Sequence, residues 1–165
     1  MDDISTHDEL LSMWANPEEK MMREALKEAR KAADLDEVPV GALIIHDGQI
    51  IARAHNQVEM LQDATAHAEI IAITQASAAI HNWRLDGAIM FVTKEPCPMC
   101  AGAIVNSRIE HVFYGVPDTK AGAAGSVFNI MDNPNLNHRV NVHPGICAVE
   151  CRDLLRNFFS KLRNK

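Results

Sequence analysis

The sequence predicts an α/β fold: a three-layer α/β/α sandwich around a central mixed sheet of about five strands. Three observations predict it. An Asp47-Gly48 dipeptide joins two β-rich runs, which is a strong hairpin signal. After the hairpin, helical and strand-like segments alternate, which builds a parallel crossover. The last stretch has apolar residues at helical spacing and supplies a covering helix.

The elements follow in order. Residues 1–15 form an acidic leader, expected to be mobile or loosely attached, and residues 16–165 form a single domain. "NPEEKMMREALKEARKAA" is a helix. Asn16 caps it, Pro17 suits the first turn, and Glu19 stands where a capping box places its carboxylate. Met22, Leu26, Ala29 and Ala33 make its apolar stripe. "VPVGALIIHDGQIIARAHN" is the hairpin. "TAHAEIIAITQASAAI" is a helix with Thr65 or Asp63 as its cap, and "AIMFVT" (88–93) is a short buried strand. "CPMCAGAIVNS" is a short helix with Pro98 in its first turn, and "HVFYGV" (111–116) is a further strand. "DTKAGAAGS" is a loop of small residues. "NPNLNHRVNVHPGI" holds an edge strand, and Gly145 breaks the chain before the last helix, where Cys151, Leu154, Leu155, Phe158, Phe159 and Leu162 share helical spacing.

Bulk properties narrow the function. The 165 residues suffice for one domain with a core, and with 47% apolar and 23% charged residues the chain is globular rather than disordered. No apolar run reaches membrane-spanning length, and the acidic start lacks the apolar segment of a signal peptide. The expected setting is therefore the cytoplasm, where Cys97, Cys100, Cys147 and Cys151 are thiols or ligands rather than disulfides. The net charge of −6 arises within residues 1–37, whose eleven acidic and five basic residues already sum to it. The segment after Cys151 is basic, with Arg152, Arg156, Lys161, Arg163 and Lys165 against Asp153. Overall acidity argues mildly against broad nucleic-acid affinity but leaves room for a local basic patch.

The chemistry lies in two short stretches. Cys97 and Cys100 are three apart at the start of a helix, so both sulfurs can face one point. The positive end of a helix favours thiolates there. An isolated C-x-x-C is also compatible with a redox pair, though no thioredoxin-like context surrounds this one. His67 lies thirty residues earlier, at the start of the preceding helix. In an α/β sheet such helix starts follow the carboxyl ends of strands, where ligands bind. One His and two Cys supply three ligands for Zn²⁺ and leave a position for water, as catalytic rather than structural zinc requires. Glu69 is then the proton acceptor. Cys147 and Cys151 lack such company beyond His143 and read as core cysteines.

His67-Ala68-Glu69 followed by Pro96-Cys97-Pro98-Met99-Cys100 is the signature of zinc deaminases. The resemblance extends further. From Pro39 to about Phe159 the chain resembles the bacterial tRNA-specific adenosine deaminases, in the zinc-dependent cytidine/deoxycytidylate deaminase superfamily. The stretches that carry it are "VPVGA", "TAHAEI", "WRL", "EPCPMCAGAI", "SRI", "DTKAGAAGS", "NHRV" and "CRDLLRNFF". The resemblance implies a cytidine-deaminase-like fold and deamination of the wobble adenosine of an anticodon loop to inosine by a homodimer. It implies zinc on His67, Cys97 and Cys100, with Glu69 moving protons. It places Asn56, Ala68 and Pro96 against the target nucleoside. Asp118 and Lys120, and Phe158, Phe159 and Arg163 on the last helix, fall where the family meets neighbouring nucleotides. A solvated loop pair is the plainer reading of Asp118 and Lys120, and core packing that of at least one phenylalanine. Lys94 departs from the apolar residue expected beside the pocket, and either reaches a phosphate or points to solvent. A small-molecule deaminase acting on guanine, cytosine or a nucleotide is the competing reading, and mild acidity favours it. The basic last helix and "DTKAGAAGS" favour tRNA. A catalytically silent zinc-dependent nucleic-acid binder would have no use for Glu69.

Overall fold

The computed structural model describes residues 16–164, so the acidic leader lies outside the described residues. Helix α1 spans Pro17–Asp34. Asn16 Oδ1 accepts from Glu18 N at 3.0 Å, and Pro17 opens the helix where no N–H is needed. Glu19, expected to complete a capping box, pairs instead with Arg23 one turn on, at 3.6 Å. The buried stripe is wider than the spacing predicts. It comprises Met22, Ala25, Leu26, Ala29 and Ala32, whereas Ala33 is half-buried.

Strands β1 (Gly41–His46) and β2 (Gln49–His55) form the expected hairpin. Asp47 and Gly48 both adopt positive φ, 50° and 73°, as a type I′ turn demands. Helix α2 (Val58–Leu61) is a single turn that the sequence reading missed. Helix α3 covers Ala68–Ile80, strand β3 Ile89–Lys94, helix α4 Pro98–Asn106, strand β4 His111–Val116, strand β5 Asn141–His143 and helix α5 Ala148–Arg163. The expectation for α3 needs correcting: its N-cap is His67, not Asp63 or Thr65. Asp63 Oδ1 is engaged by the N–H and hydroxyl of Thr65, at 2.8 and 2.7 Å, in a turn that precedes the helix.

The sheet has the order β2-β1-β3-β4-β5. The pairs β1–β2 and β1–β3 are antiparallel, while β3–β4 and β4–β5 are parallel. The sheet is therefore mixed, with the β3-α4-β4 crossover at its centre. Alternation along the strands separates two cores. Ala42, Ile44, Met90, Val92 and Val112 face α3 and α4, where Ala72, Ala76, Ile104 and Val105 cover them. Leu43, Phe91, Phe113 and Val116 face α1 and α5, where Met22, Leu26, Cys151 and Leu155 cover them. This is the three-layer sandwich. A Cβ on Gly41 would lie 2.1 Å from the Ala25 carbonyl oxygen, so only glycine lets α1 sit this close to β1. Cys151 is a core residue, as expected. Its Sγ would lie 2.4 Å from a Cβ at Gly115.

Candidate active site

The sheet sets the site by where its strands end. Chain leaving β2 and β3 passes into α3 and α4, and the two helices bring their first turns together. His67 and Cys97 are the N-cap residues, with extended backbones (φ −75° and −73°), and neither side chain caps its helix. Both are thus available to a ligand. His67 Nδ1 lies 3.7 Å from Cys97 Sγ and 3.5 Å from Cys100 Sγ, and all three donor atoms fall within 4.8 Å of one another. Tetrahedral zinc with ordinary Zn–S and Zn–N bonds separates its N and S ligands by about 3.6 Å. The donor set fits that ion.

The electrostatics agree. Hydrogen bonding from Cys100, opposed by burial and aided by His67, lowers the Cys97 thiol to about 4. The same pairing with Cys97, together with burial, pushes the Cys100 thiol up. Cys97 thus ionises readily while Cys100 holds its proton, and a cation bound between them would favour the thiolate form of both. Bonding to Cys97 raises His67 against the opposing effect of burial. Glu69, in the first turn of α3, is only 4% exposed, and burial raises its carboxyl above the usual range. A carboxyl so placed can both take and return a proton.

A cavity of about 750 Å³ opens onto these groups. His67, Glu69 and Cys97 line it together with Asn56, Lys94, Phe158 and Phe159. The structure thus brings the predicted metal ligands, acid/base residue and amide to one place. Asn56 is buried one residue past β2. Phe158 is nearly buried, whereas Phe159 is 44% exposed, so the two phenylalanines divide between core and surface. Ala68 is the first residue of α3, where the N–H has no intrahelical partner. Pro96 is buried, is not among the cavity's lining residues, and accepts from Ala123 N at 2.8 Å. Lys120 and Arg163 are exposed outside the cavity. Lys120 N donates to Asp118 Oδ1, and Arg163 Nη2 to Ser160 Oγ. Lys94 does not extend freely into solvent: its Nζ pairs with Asp118 Oδ2 at 2.8 Å.

Two carboxylates of the site escaped the sequence reading. Glu37, 1% exposed, accepts from Asn56 Nδ2 at 3.2 Å, Glu59 N at 3.2 Å and Met60 N at 2.7 Å. A carboxylate only accepts, so it fixes the Asn56 amide with nitrogen inward. Glu95, 2% exposed, accepts from Asp118 N, Ala124 N, Ser126 N and Ser126 Oγ. It anchors the loop of residues 117–128 at the end of β3. A Cβ on Gly122 would lie 2.4 Å from this carboxylate, which explains a glycine within "DTKAGAAGS". The available signal was an acidic residue beside an apolar strand end, which reads equally well as surface.

Comparison with known proteins agrees with this geometry. The model of the MafB19-like deaminase family matches residues 16–163. A tRNA-specific adenosine deaminase of Bacillus subtilis is 47% identical over 148 residues, covering 90% of this chain and 92% of the relative. One from Aquifex aeolicus is 49% identical, covering 88% and 96%. A structure from studies of A-to-I editing by tRNA:A34 deaminases superimposes with a TM-score of 0.78 at 44% identity, over 81% of this chain and 97% of the other. A guanine deaminase from Nitrosomonas europaea aligns at 0.77 and 25% identity, over 88% and 86%. With its His/Cys/Cys cluster, buried glutamate and this extent of likeness, the chain belongs to the MafB19-like deaminases, in the group of the tRNA-specific adenosine deaminases.

Proposed function

We propose that the protein deaminates the wobble adenosine of a tRNA anticodon loop to inosine, releasing ammonia. The observation that carries this reading is the buried Glu69 beside the His67, Cys97 and Cys100 cluster, in a cavity large enough for a nucleoside. Relatives at 47% and 49% identity that bear the tRNA-specific name support tRNA over a free base. One Zn²⁺ per chain fits the three donors, and when bound it makes water a competent nucleophile at neutral pH.

The chain's own residues do the rest. Glu69 takes a proton from water and delivers it to N1 of adenine as the oxygen adds to C6. It then carries the remaining hydroxyl proton to N6. The C6–N6 bond breaks, ammonia leaves, and C6 keeps the oxygen as the carbonyl of inosine. The first-turn N–H of Ala68 hydrogen-bonds the incoming oxygen. Asn56, its amide oriented by Glu37, pairs with the purine edge. An anticodon base is already single-stranded, so extruding it is inexpensive. Phe159 offers an exposed ring for a neighbouring base, with Phe158 supporting it edge-on at 5.4 Å. Asp118 accepts from a ribose hydroxyl, and Lys120 and Arg163 meet the anticodon backbone. The working form is a homodimer in the cytoplasm. Met60, Leu61, Val127 and Phe128 are exposed apolar side chains that a second copy could cover, and among the described residues no helix is long and apolar enough to cross a membrane.

The test is to incubate purified protein with an anticodon stem-loop bearing a wobble adenosine and to assay inosine, with guanine and cytosine in parallel. Inosine in the stem-loop is expected. Turnover of guanine without turnover of the stem-loop would overturn the reading.

A further inference from the structure

The cavity has the wrong charge for RNA except at one point. Asp36, Glu37, Glu59, Glu69 and Glu95 line it, and Lys94 is the only lysine or arginine among the lining residues. A target nucleotide within RNA brings a phosphate on each side, and phosphate binding needs local positive charge. Lys94 is the last residue of β3, and its side chain is 34% exposed, so its ammonium is within reach of an incoming strand. Asp118 Oδ2 occupies one of its three donors. Asp118 is itself fixed. Its Oδ1 accepts from Lys120 N at 2.9 Å and Ala121 N at 3.2 Å, and its own N–H donates to Glu95. The lysine is therefore held at the cavity wall by a built bracket. Tethering the loop does not require it, because Glu95 already binds that loop through four hydrogen bonds.

We propose that Lys94, positioned by Asp118, binds one of the two backbone phosphates that flank the target nucleotide. The inference rests on the reading that the substrate is RNA. It makes Lys94 a substrate-binding residue that favours a base within a polynucleotide over a free base.

The test uses the zinc-loaded protein and three anticodon stem-loops: one native, one with a neutral methylphosphonate 5′ to the wobble adenosine, and one with it 3′. Inosine formation by the unmodified protein on the native stem-loop is checked first, and its failure counts against the tRNA reading alone. Affinities are then measured from 50 to 200 mM salt. On native RNA, Lys94→Leu and Lys94→Gln should bind roughly tenfold more weakly, the scale of one charge-assisted hydrogen bond. Their salt dependence should be shallower by about 0.7 in log–log slope. Lys94→Arg should restore most of the affinity. On one of the two neutralised stem-loops the unmodified protein should bind weakly, and the Lys94 variants should lose nothing more. An equal loss on all three RNAs, or an unchanged salt slope, overturns the proposal. If neither neutral linkage weakens binding by the unmodified protein, the proposal also fails, without recourse to any variant.

Discussion

Replacing Glu95 by glutamine changes almost nothing in shape and reverses the chemistry at one oxygen. Glu95 Oε1 accepts from Ala124 N at 3.0 Å and Ser126 N at 3.1 Å, while Oε2 accepts from Asp118 N at 2.8 Å and from Ser126 Oγ. The best placement of glutamine keeps its carbonyl against the two N–H groups on the first side. Its –NH₂ then faces Asp118 N–H and the Ser126 hydroxyl. The hydroxyl can rotate and accept, but the Asp118 N–H meets another donor. An unsatisfied buried donor costs about 1–3 kcal/mol, and the surviving bonds lose their charge assistance. Relief from burying a charge offsets part of this. The net expectation is a loss of about 2–3 kcal/mol, or roughly 4–12 °C in Tm for a chain of this size. Thermal unfolding of the zinc-loaded protein measures it. Limited proteolysis should show faster cleavage within residues 117–128, with one zinc per chain retained. A Glu95→Gln protein within 0.5 kcal/mol of the parent, or uncut in that loop, would show that the carboxylate does not anchor it.

Glu69→Gln should lower turnover by about 10²–10⁴-fold while zinc content and fold persist, because only proton transfer is removed; near-normal turnover with zinc in place refutes the assignment. Chelating the metal should lower the thermal midpoint. A ligand at a hundred times its Kd contributes about 2.7 kcal/mol, and restoring zinc should restore both stability and activity. Phe159→Ala should weaken stem-loop binding with little change in stability, whereas Phe158→Ala, at a residue 8% exposed, should destabilise by about 3–5 kcal/mol, both read by paired binding and unfolding curves. Glu37→Leu should raise KM for the stem-loop, because it removes the acceptor that holds Asn56 Nδ2 and frees the amide from its fixed orientation; an unchanged KM sinks that role.

The elements that sequence patterning revealed are those written in local chemistry. Asp47-Gly48 enforces its own turn, Asn16-Pro17 starts α1, and the strands carry runs that bury on both faces. The candidate metal site was legible because its residue types and spacing are restrictive: two cysteines on one helical turn and a histidine one helix earlier. The start of α3 was misplaced because Asp63 is as good a cap by composition as by position, and only the local turn shows that Thr65 has already engaged it. Glu37 and Glu95 were overlooked because a charged residue in sequence is by default solvated, and nothing local says that backbone N–H groups from distant loops converge on it.

What the sequence alone determined is therefore the layered α/β class, the hairpin, and the identity of the His67, Glu69, Cys97 and Cys100 groups that meet at the candidate site, since each depends on residues within one element or on fixed spacing. What only the tertiary structure decided is how those groups are held and what surrounds them. Examples are the Asn56 amide locked by Glu37 across nineteen residues of chain, the loop of residues 117–128 gathered onto Glu95, and Lys94 drawn to Asp118 in an otherwise acidic cavity. The physical reason is the same in each case. A buried carboxylate or a paired ammonium is stable only where partners remote in sequence meet it, and that meeting is a property of the folded chain.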